Sequence, residues 1–456
     1  MGRCPYKNYP MIQKFTGCIL LVTLLSVASA QPRWHSLFNG KDLSGWKSLN
    51  GHARYEVHNG EIIGITVPGE PNSFLATTSD YGDFILELEF LANDSLNSGI
   101  QFRSESNEAY NHGRVHGYQM EIDPSARAWS GGIYDEARRN WLYPMEYNTP
   151  AKKAYRHGQW NKYRIECIGP VMRTWVNGVP CANLVDGMTP KGFIALQVHQ
   201  VSKPEEGGRR IRFRNIRIQT DHLSPSPPDS IFVVDLLPNH LSLQEKTNGV
   251  RLLWNGENTE GWRGYGKPAF PSKGWNTRNG AFTVEGNGKD EPGGGDVISD
   301  KEYGAFDLQF EFRITEGANS GVKYFIAEKG GSAIGPEYQV LDDERHPDAK
   351  LGAGGNRKQA SLYDLIPAMQ IPASQKKPGE WNQGRIVVYP DNHIEHWLNG
   401  YKVLDYQRGT QYFYALVARS KFEKVQGFGM APQGHILLQD HGNEVSFRSI
   451  KIKELK

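Results

Sequence analysis

The sequence predicts an all-β protein built from two tandem copies of one sandwich domain. An internal repeat spans most of the chain, short segments alternate apolar and polar residues, and no long helical periodicity follows the N-terminal apolar run. The 456 residues are too many for one hydrophobic core and suit two domains of roughly 200 residues each. Fifty glycines and 26 prolines favour many short strands joined by turns.

The repeat keeps the same order from one end to the other, which chance does not produce. Each copy has a Gly-Trp pair near its start, an Asn-Ser-Gly triplet, a Trp-x-Asn-Gly segment and a Gln-x-His triplet near its end. The matching segments are 43–46 with 259–262, 97–100 with 319–322, 118–123 with 338–343, 133–135 with 362–364, 175–178 with 397–400, 197–199 with 439–441, and 213–216 with 447–450.

Alternation and turn residues predict the type of sandwich. Residues 84–90 and 306–312 carry apolar side chains at every second position, the period of a half-buried strand. The Asn-Gly pairs at 177–178 and 399–400 suit tight hairpins, because these residues accept positive φ angles. Many strands with frequent turns predict two antiparallel sheets packed as a sandwich or jelly roll.

The first 30 residues are expected to be a signal peptide. Lys7 and Lys14 precede an apolar run over residues 15–27, and small residues at 28–30 suit cleavage. The run is too short to cross a bilayer as a helix, although an uncleaved anchor is the alternative. We therefore expect export to a periplasm or to the extracellular medium, without a membrane association after cleavage.

A proline-rich linker at residues 224–228 separates the two copies. We place the first domain at residues 31–221, the linker and connecting segment at 222–248, and the second domain at 249–456. The segment 231–249 joins the linker to the second copy, and it could add a strand or pack against that copy.

Net charge, cysteine content and missing motifs argue against several classes of protein. A net charge of +2 gives no support for a nucleic-acid partner. After signal removal only Cys167 and Cys181 remain, and a disulfide or two buried thiols both fit them. The sequence contains no P-loop, dinucleotide fingerprint, nucleophile elbow or His-Glu-x-x-His segment.

Polar side chains are predicted to share one sheet face in each copy. A sandwich buries one face of each sheet, so side chains two residues apart on the other face can form a binding surface. In the first copy these are Gln101, Arg103, Gln119, Glu121, Asp123, Gln197 and His199, with Tyr134 beside them. In the second copy they are Lys323, Gln339, Asp343, Gln439 and His441, with Tyr363 beside them. Simple solvation is the alternative, but amides, carboxylates, a cation and imidazole together suit a polyhydroxylated ligand.

The two copies differ on this face. The sequence match pairs Gln101 with Lys323, Arg103 with Phe325, and Glu121 with Leu341. Glu121 and Asp123 resemble the carboxylate pair of a glycosidase, but Leu341 would break such a pair in the second copy. The copies could therefore divide the labour.

These motifs resemble the bacterial 3-keto-disaccharide hydrolase family, also described as 3-keto-glucoside 1,2-lyases and 3-keto-2-hydroxyglucal hydratases. The motifs at 38–46, 97–101, 117–123, 192–199 and 438–442 carry the resemblance, which covers nearly all of both copies. It implies a concanavalin A-like jelly roll in each copy, export in bacteria, and cleavage of glycosides whose sugar is oxidised at C3.

Such a substrate sets simple chemical requirements. The ketone acidifies the C2 proton, so a base, an oxyanion-stabilising group and a proton donor suffice to eliminate the aglycone, and hydration completes a net hydrolysis. We assign His199 and His441 as base or acid, because imidazole titrates near neutral pH. The remaining assignments are Asp123, Asp343 and Glu121 as carboxylate partners, Arg103 and Lys323 at the enolate, Gln101, Gln119, Gln197, Gln339 and Gln439 at sugar hydroxyls, and Tyr134 and Tyr363 as rings that stack on a sugar.

Two other functions also fit the sequence. A carbohydrate-binding module without activity is one, since fold alone does not separate binders from enzymes. An ordinary glycosidase of unoxidised glucans is the other, although its acidic strand signature is missing from the second copy. The sequence identifies no cofactor with certainty; carboxylates and histidine on the polar face could hold a divalent ion, although no spacing demands one.

Overall fold

The computed structural model describes residues 1–3, 5, 33–93, 95–286, 292–328 and 333–456, so nearly all of the expected signal peptide lies outside the described residues. The first half of the chain is a succession of short strands. They are β1 (His35–Ser36), β2 (Trp46–Asn50), β3 (Arg54–His58), β4 (Glu61–Ile65), β5 (Ser73–Thr77), β6 (Phe84–Ala92), β7 (Ser98–Glu105), β8 (His116–Ile122), β9 (Ile133–Glu136), β10 (Asn140–Tyr143), β11 (Asn161–Ile168), β12 (Val171–Val176), β13 (Val179–Val185), β14 (Phe193–Val198), β15 (Arg210–Gln219) and β16 (Val234–Asp235).

The second half repeats the pattern. Its strands are β17 (Arg251–Leu252), β18 (Trp262–Gly264), β19 (Trp275–Asn276), β20 (Phe282–Val284), β21 (Val297–Tyr303), β22 (Phe306–Ile314), β23 (Asn319–Ile326), β24 (Glu337–Leu341), β25 (Asn382–Val388), β26 (His393–Leu398), β27 (Tyr401–Gln407), β28 (Gly434–Leu438) and β29 (Val445–Glu454). The helices are short: α1 (Leu243–Thr247), α2 (Gln411–Val417), and 3-10 turns at Met145–Lys153, Pro204–Glu206, Arg278–Gly280, Pro347–Lys350 and Pro372–Ser374.

Each half folds into two facing sheets. In the first half the larger sheet runs β16-β13-β12-β11-β6-β15-β4-β3, with β1 also on β15, and the smaller runs β10-β9-β8-β7-β14-β5-β2. In the second half the larger sheet runs β19-β20-β29-β22-β25-β26-β27, with β17 also on β29, and the smaller runs β18-β21-β28-β23-β24. The prediction of an all-β protein with two tandem jelly-roll sandwiches is confirmed.

Side-chain alternation places the core between the sheets. In β7, Ile100 and Phe102 are fully buried in the main hydrophobic cluster, and Gln101 between them points to the other face. In β23, Val322 and Tyr324 flank Lys323 in the same way. We call the side of each smaller sheet that points away from this core its polar face.

The connecting segment extends the first half. Strand β16 pairs in parallel with β13, and the linker packs on the same sheet through Arg173, which donates to the carbonyls of Ser226 (2.6 Å) and Pro227 (3.1 Å). Asn239 then bonds to Ser449 of the second half. The segment therefore adds its strand to the first sandwich and contacts both.

The two halves share an aromatic interface. The Tyr147 ring stacks on Phe232 (4.6 Å between centroids) and on Trp397 (5.9 Å), and Trp129 lies 5.9 Å from Tyr401. One hydrophobic cluster includes residues of both halves. The sandwiches are thus joined by packed side chains as well as by the chain itself.

Cys167 and Cys181 are both buried and unbridged. Burial raises the pKa of each thiol to about 12, so these are inert apolar groups. Of the two alternatives for this pair, the structure contains the free thiols. Within the described residues, no helix has the length and apolar character needed to span a membrane.

Candidate functional site

A cavity of about 540 Å³ opens on the polar face of the second half. This volume lies within the usual range for small-molecule sites. The lining residues from the sheet are Asn319, Lys323, Glu337 and Gln339, and those from adjoining segments include Tyr363, Lys421, Phe422, Gln439 and His441. Five of the six residues predicted for this copy therefore lie together.

A buried charge cluster forms the floor of the cavity. Lys323 and Glu337 are cross-strand partners, and their Nζ and Oε2 atoms lie 3.9 Å apart. Asp296, immediately before β21, has Oδ2 4.0 Å from the same Nζ. Burial raises the pKa of both the Glu337 and the Asp296 carboxyl, while the Lys323 charge opposes the rise. A carboxyl with a raised pKa beside an ammonium suits proton transfer.

A glycine lets the Glu337 side chain cross the sheet. Gly321 lies between Gln339 and Gln439 in neighbouring strands, and a Cβ there would meet Glu337 Oε1 at 2.3 Å. In the amide orientation that satisfies both groups, Gln339 donates to Glu337 Oε1 (3.1 Å) and to the Ser320 carbonyl (3.0 Å). One carboxylate oxygen of Glu337 is thus held by an amide, and the other faces Lys323.

His441 lies three residues past the end of β28, beside the charge cluster. Its neighbour Asp440 fixes the local loop, because Oδ2 accepts from the backbone N–H groups of Gly294 (2.7 Å) and Gly295 (2.9 Å). The Nδ1 atom of His441 is buried without a hydrogen-bond partner among the described residues. A buried ring nitrogen without a partner is costly in a finished protein and suits a ligand or water.

Tyr363 closes one side of the cavity. Its hydroxyl donates to Asp348 Oδ2 (2.8 Å), and Arg357 bonds the other oxygen of Asp348 (2.7 Å) as well as Asp364 (2.6 Å). Because its hydroxyl is already committed, Tyr363 offers a ligand its ring rather than its O–H.

The first half carries a chain of amides on its polar face. Gln101 donates to Gln119 Oε1 (2.8 Å), Gln119 donates to Glu121 Oε2 (2.9 Å), and Asn97 donates to Glu121 Oε1 (2.6 Å). Burial raises the pKa of Glu121 to about 7. Tyr134 is the cross-strand partner of Gln119 and belongs to the same face.

The remaining predicted residues of this face are more dispersed. Gln197 is almost fully buried, and its Oε1 has no partner among the described residues. His199 is half-buried at the rim, where it lines a cavity of about 620 Å³ with Asn97, and its Nδ1 is 2.9 Å from the Gln200 carbonyl oxygen.

The strand register corrects the sequence alignment of the two copies. Gly99 faces Glu121, and Gly321 faces Gln339; Gln101 faces Gln119, and Lys323 faces Glu337. The sequence match that paired Gln119 with Gln339 and Glu121 with Leu341 was therefore wrong by two residues. A Gln–Glu pair exists in both copies, but its order along the strand is reversed.

Arg103 does not belong to the polar face. Its φ of 44° and a register shift after Phe102 interrupt the alternation in β7. The side chain instead donates to the carbonyls of Gly82 (2.9 Å) and Gly169 (2.8 Å) and pairs with Asp83 (3.0 Å). The prediction that Arg103 faces an enolate was wrong, because strand parity fails across a bulge.

The two predicted aspartates also have other roles. Asp123 organises its own loop by accepting from Ser125 N–H (3.1 Å), Arg127 Nε (2.8 Å) and Trp129 N–H (3.2 Å). Asp343 accepts from Gln359 N–H (2.7 Å), burial raises its pKa to about 6, and it is absent from the cavity lining. Both lie beyond the last residue of their strand, so alternation does not fix their direction.

No three His, Cys, Asp or Glu side chains among the described residues are grouped as metal ligands. Two lysines, Lys323 on the sheet and Lys421 on an adjoining segment, line the cavity of the second half, and an ammonium there can stabilise an anionic group of a ligand.

Both halves of the chain match one known protein family. Residues 33–219 and 249–453 each match the 3-keto-alpha-glucoside-1,2-lyase-like domain. The chain belongs to this family. It carries the lyase-like domain twice, once in each sandwich.

Individual relatives each match about half of this chain. A 3-keto-disaccharide hydrolase of Bacteroides thetaiotaomicron is 38% identical over 240 residues, which cover 47% of this chain and 81% of the relative. A Parabacteroides distasonis protein whose name assigns it to the glycosyl hydrolases is 30% identical in its crystal structure, covering 48% of this chain and 100% of that one, with a TM-score of 0.43. A second such structure from that organism is 25% identical, covers 45% and 99%, and has a TM-score of 0.34.

Three residues of the second lyase-like domain were missed by the sequence reasoning. Glu337 has the same strand parity as Gln339, a signal that was present in the sequence. Asp296 precedes its strand, and Lys421 lies in a segment without a counterpart in the first domain, so no repeat motif marked either one.

Proposed function

We propose that the second lyase-like domain cleaves the glycosidic bond of 3-keto-glycosides by elimination followed by hydration. The observation that carries this proposal is the Lys323–Glu337 pair on the cavity floor. The name of the Bacteroides thetaiotaomicron relative, a 3-keto-disaccharide hydrolase, supports the substrate class.

The separation of the two charged groups matches the chemistry. In a 3-keto sugar, the C2–H bond and the C3 carbonyl are adjacent. A carboxylate and an ammonium 3.9 Å apart can therefore meet the proton and the carbonyl oxygen of one substrate. Glu337 removes the C2 proton, and Lys323 stabilises the negative charge that develops on the oxygen. The electron pair then forms the C1–C2 double bond and expels the aglycone oxygen.

Hydration of the resulting enone completes a net hydrolysis. His441 is the group of the cavity wall that has an uncommitted ring nitrogen beside the charge cluster. We propose that His441 takes a proton from the water that adds to the enone in this second step. The histidine predicted from the sequence thus has a role in proton transfer. Gln439 and Asn319 line the same wall and offer amides to the sugar hydroxyls.

The first domain fits a second function, the binding of carbohydrate without cleavage. At the register positions of Lys323 and Glu337 it has the neutral amides Gln101 and Gln119. Glu121 is held by two amide donors, and Gln197 keeps a buried oxygen without a partner. The only cation near Glu121 among the described residues is Arg127, whose Nη2 lies 3.7 Å from Oε1, and neutral amides at the two register positions favour recognition over proton abstraction there.

The test uses the full chain and methyl 3-keto-α-glucoside, followed by NMR in D₂O. The intact protein should release methanol and pass through an unsaturated 3-keto intermediate. Glu337→Gln should form neither product nor intermediate, whereas His441→Ala should accumulate the intermediate. Release of methanol by Glu337→Gln at the rate of the intact protein would exclude this site as the place of cleavage.

A further inference from the structure

An insertion covers the cavity of the second domain. Residues 408–433 connect β27 to β28, whereas only residues 186–192 connect the equivalent strands β13 and β14 of the first domain. The insertion contains helix α2 and contributes Lys421 and Phe422 to the cavity wall. The polar face of the first domain has no counterpart of this segment.

The insertion is anchored firmly at several points. Phe422 is buried and stacks on Phe428 with 4.3 Å between ring centroids. The backbone N–H of Lys421 donates to Asp364 Oδ2 (2.8 Å), and Arg408 donates to the carbonyls of Gly429 (3.0 Å) and Ala431 (2.7 Å). The backbone position of Lys421 is therefore fixed by the fold.

The Lys421 ammonium has hydrogen-bonding capacity to spare. Its Nζ lies 4.1 Å from the centroid of the Tyr363 ring, and no acceptor of the described residues is within hydrogen-bond distance of it. Burial lowers its pKa, and the charges that act on it are those of Glu337, Arg357, Asp348 and Asp364. A partly desolvated ammonium with free N–H groups is a competent proton donor.

Lys323 is less suited to that task. It already lies within 4.0 Å of two carboxylates, Asp296 and Glu337, and it donates to the Ala333 carbonyl (3.3 Å). The two lysines belong to different walls, Lys323 to the sheet and Lys421 to the insertion. An elimination develops negative charge at two places, the C3 oxygen and the departing oxygen on C1, so two separate cations match its needs.

The Lys421 side chain is exposed to solvent and lines the cavity above the Tyr363 ring. We propose that Lys421 is the acid that protonates the departing aglycone oxygen, a role that rests on the function proposed above. Glu337 takes the C2 proton, the enolate electron pair forms the C1–C2 double bond, and the C1–O bond breaks with its electron pair on oxygen. That oxygen takes a proton from the Lys421 ammonium and leaves as a neutral alcohol. The remaining neutral amine regains its proton from water.

The experiment compares two aglycones in the full-length protein. A p-nitrophenolate leaves without protonation, whereas a methoxide needs a proton, so methyl and p-nitrophenyl 3-keto-α-glucosides separate acid catalysis from the other steps. Lys421→Met should lower kcat for the methyl substrate by about 10²–10³-fold and leave kcat for the p-nitrophenyl substrate nearly unchanged. Lys421→Arg keeps the positive charge, but a guanidinium does not give up its proton. This variant should therefore show the same selective loss of kcat for the methyl substrate.

Control variants separate the possible failures. Lys424→Met removes another lysine of the insertion outside the cavity lining and should leave both substrates unaffected, and thermal melting checks folding. Equal losses of kcat with both substrates, a rise in KM alone, or full activity of Lys421→Arg on the methyl substrate would overturn the acid role. If Glu337→Gln cleaves both substrates normally, the proposed function itself fails.

Discussion

Glu337 and Lys323 face each other across two strands of the second domain, at the register positions where the first domain has Gln119 and Gln101. The same backbone thus presents an ion pair in one copy and two neutral amides in the other. Buried charges are costly unless they are compensated, so a buried pair beside a cavity is expected to have a chemical role. The difference predicts which domain performs the chemistry.

The first prediction compares matched variants of the two domains. Glu337→Gln removes the only proton acceptor that faces Lys323 on this strand, so kcat for a 3-keto-glucoside should fall by about 10²–10⁴-fold. Glu121→Gln changes the buried polar-face carboxyl of the first domain, which lies at the register position of Gln339, and should leave kcat nearly intact. Steady-state kinetics of both variants show which domain performs the cleavage. A large loss in Glu121→Gln alone would place the reaction in the first domain.

The second prediction concerns stability and pH. Glu121 has a folded-state pKa of about 7 because of burial, against 4.5 in the unfolded chain, so the folded state binds more protons between these values. The free energy of unfolding should therefore fall as pH rises from 4.5 to 7, by about 3 kcal/mol from this carboxyl. Glu121→Gln should remove that fall.

Urea denaturation at pH 5 and pH 8 measures the effect. Glu56→Gln, at an exposed position on β3, is the matched control and should keep the pH dependence of the parent protein. An unchanged pH dependence in Glu121→Gln would show that this carboxyl is ionised in the folded protein at pH 5.

Alternation predicted most of the polar face from sequence. Gln101, Gln119, Glu121 and Gln197 in the first copy, and Lys323 and Gln339 in the second, lie on that face because strand periodicity holds within a ladder. Gln439 and His441 line the same cavity although they lie past the end of β28. The repeat likewise predicted the tandem sandwiches, since matching turns and strands require matching folds.

Periodicity failed where the backbone departs from a regular strand. Arg103 lies at a bulge, and Asp123 and Asp343 lie past strand ends, so their directions depend on tertiary contacts. The register of β24 could not be read from the Tyr-Gln motif, because pairing is set by hydrogen bonds to β23 rather than by residue identity. Lys421 reaches the cavity through an insertion whose path no local pattern encodes.

The third prediction concerns Arg103. Its guanidinium is buried and satisfies two carbonyls at the ends of the opposite sheet, so Arg103→Met leaves both acceptors without their donor. We expect a loss of about 3 kcal/mol in the free energy of unfolding and an unchanged kcat per folded molecule. Arg54→Met, at an exposed position on β3, should cost far less. A stable Arg103→Met protein with reduced kcat would instead assign Arg103 to the reaction.

The last prediction addresses the junction of the two halves. Lys451 on β29 is buried, with Nζ 2.7 Å from Glu245 Oε1 and 3.4 Å from Asp235 Oδ2, and Asp235 belongs to the strand that extends the first sandwich. Lys451→Met leaves Glu245 without its cation and Asp235 with His240 alone (2.7 Å), which should cost about 3–5 kcal/mol at pH 8. Burial raises the pKa of Asp235 to about 6, so at pH 5 this acid is largely neutral and the loss should be smaller.

Chemical denaturation of this variant at both pH values tests the argument. Lys453→Met, two residues further along the same strand and only half-buried, is the matched control. A loss of stability that is equal at pH 5 and pH 8 would mean that missing packing, rather than uncompensated charge, destabilises the variant. A smaller loss at pH 5, absent from the control, would instead identify Lys451 as the charge that binds the connecting strand of the first half to the second sandwich.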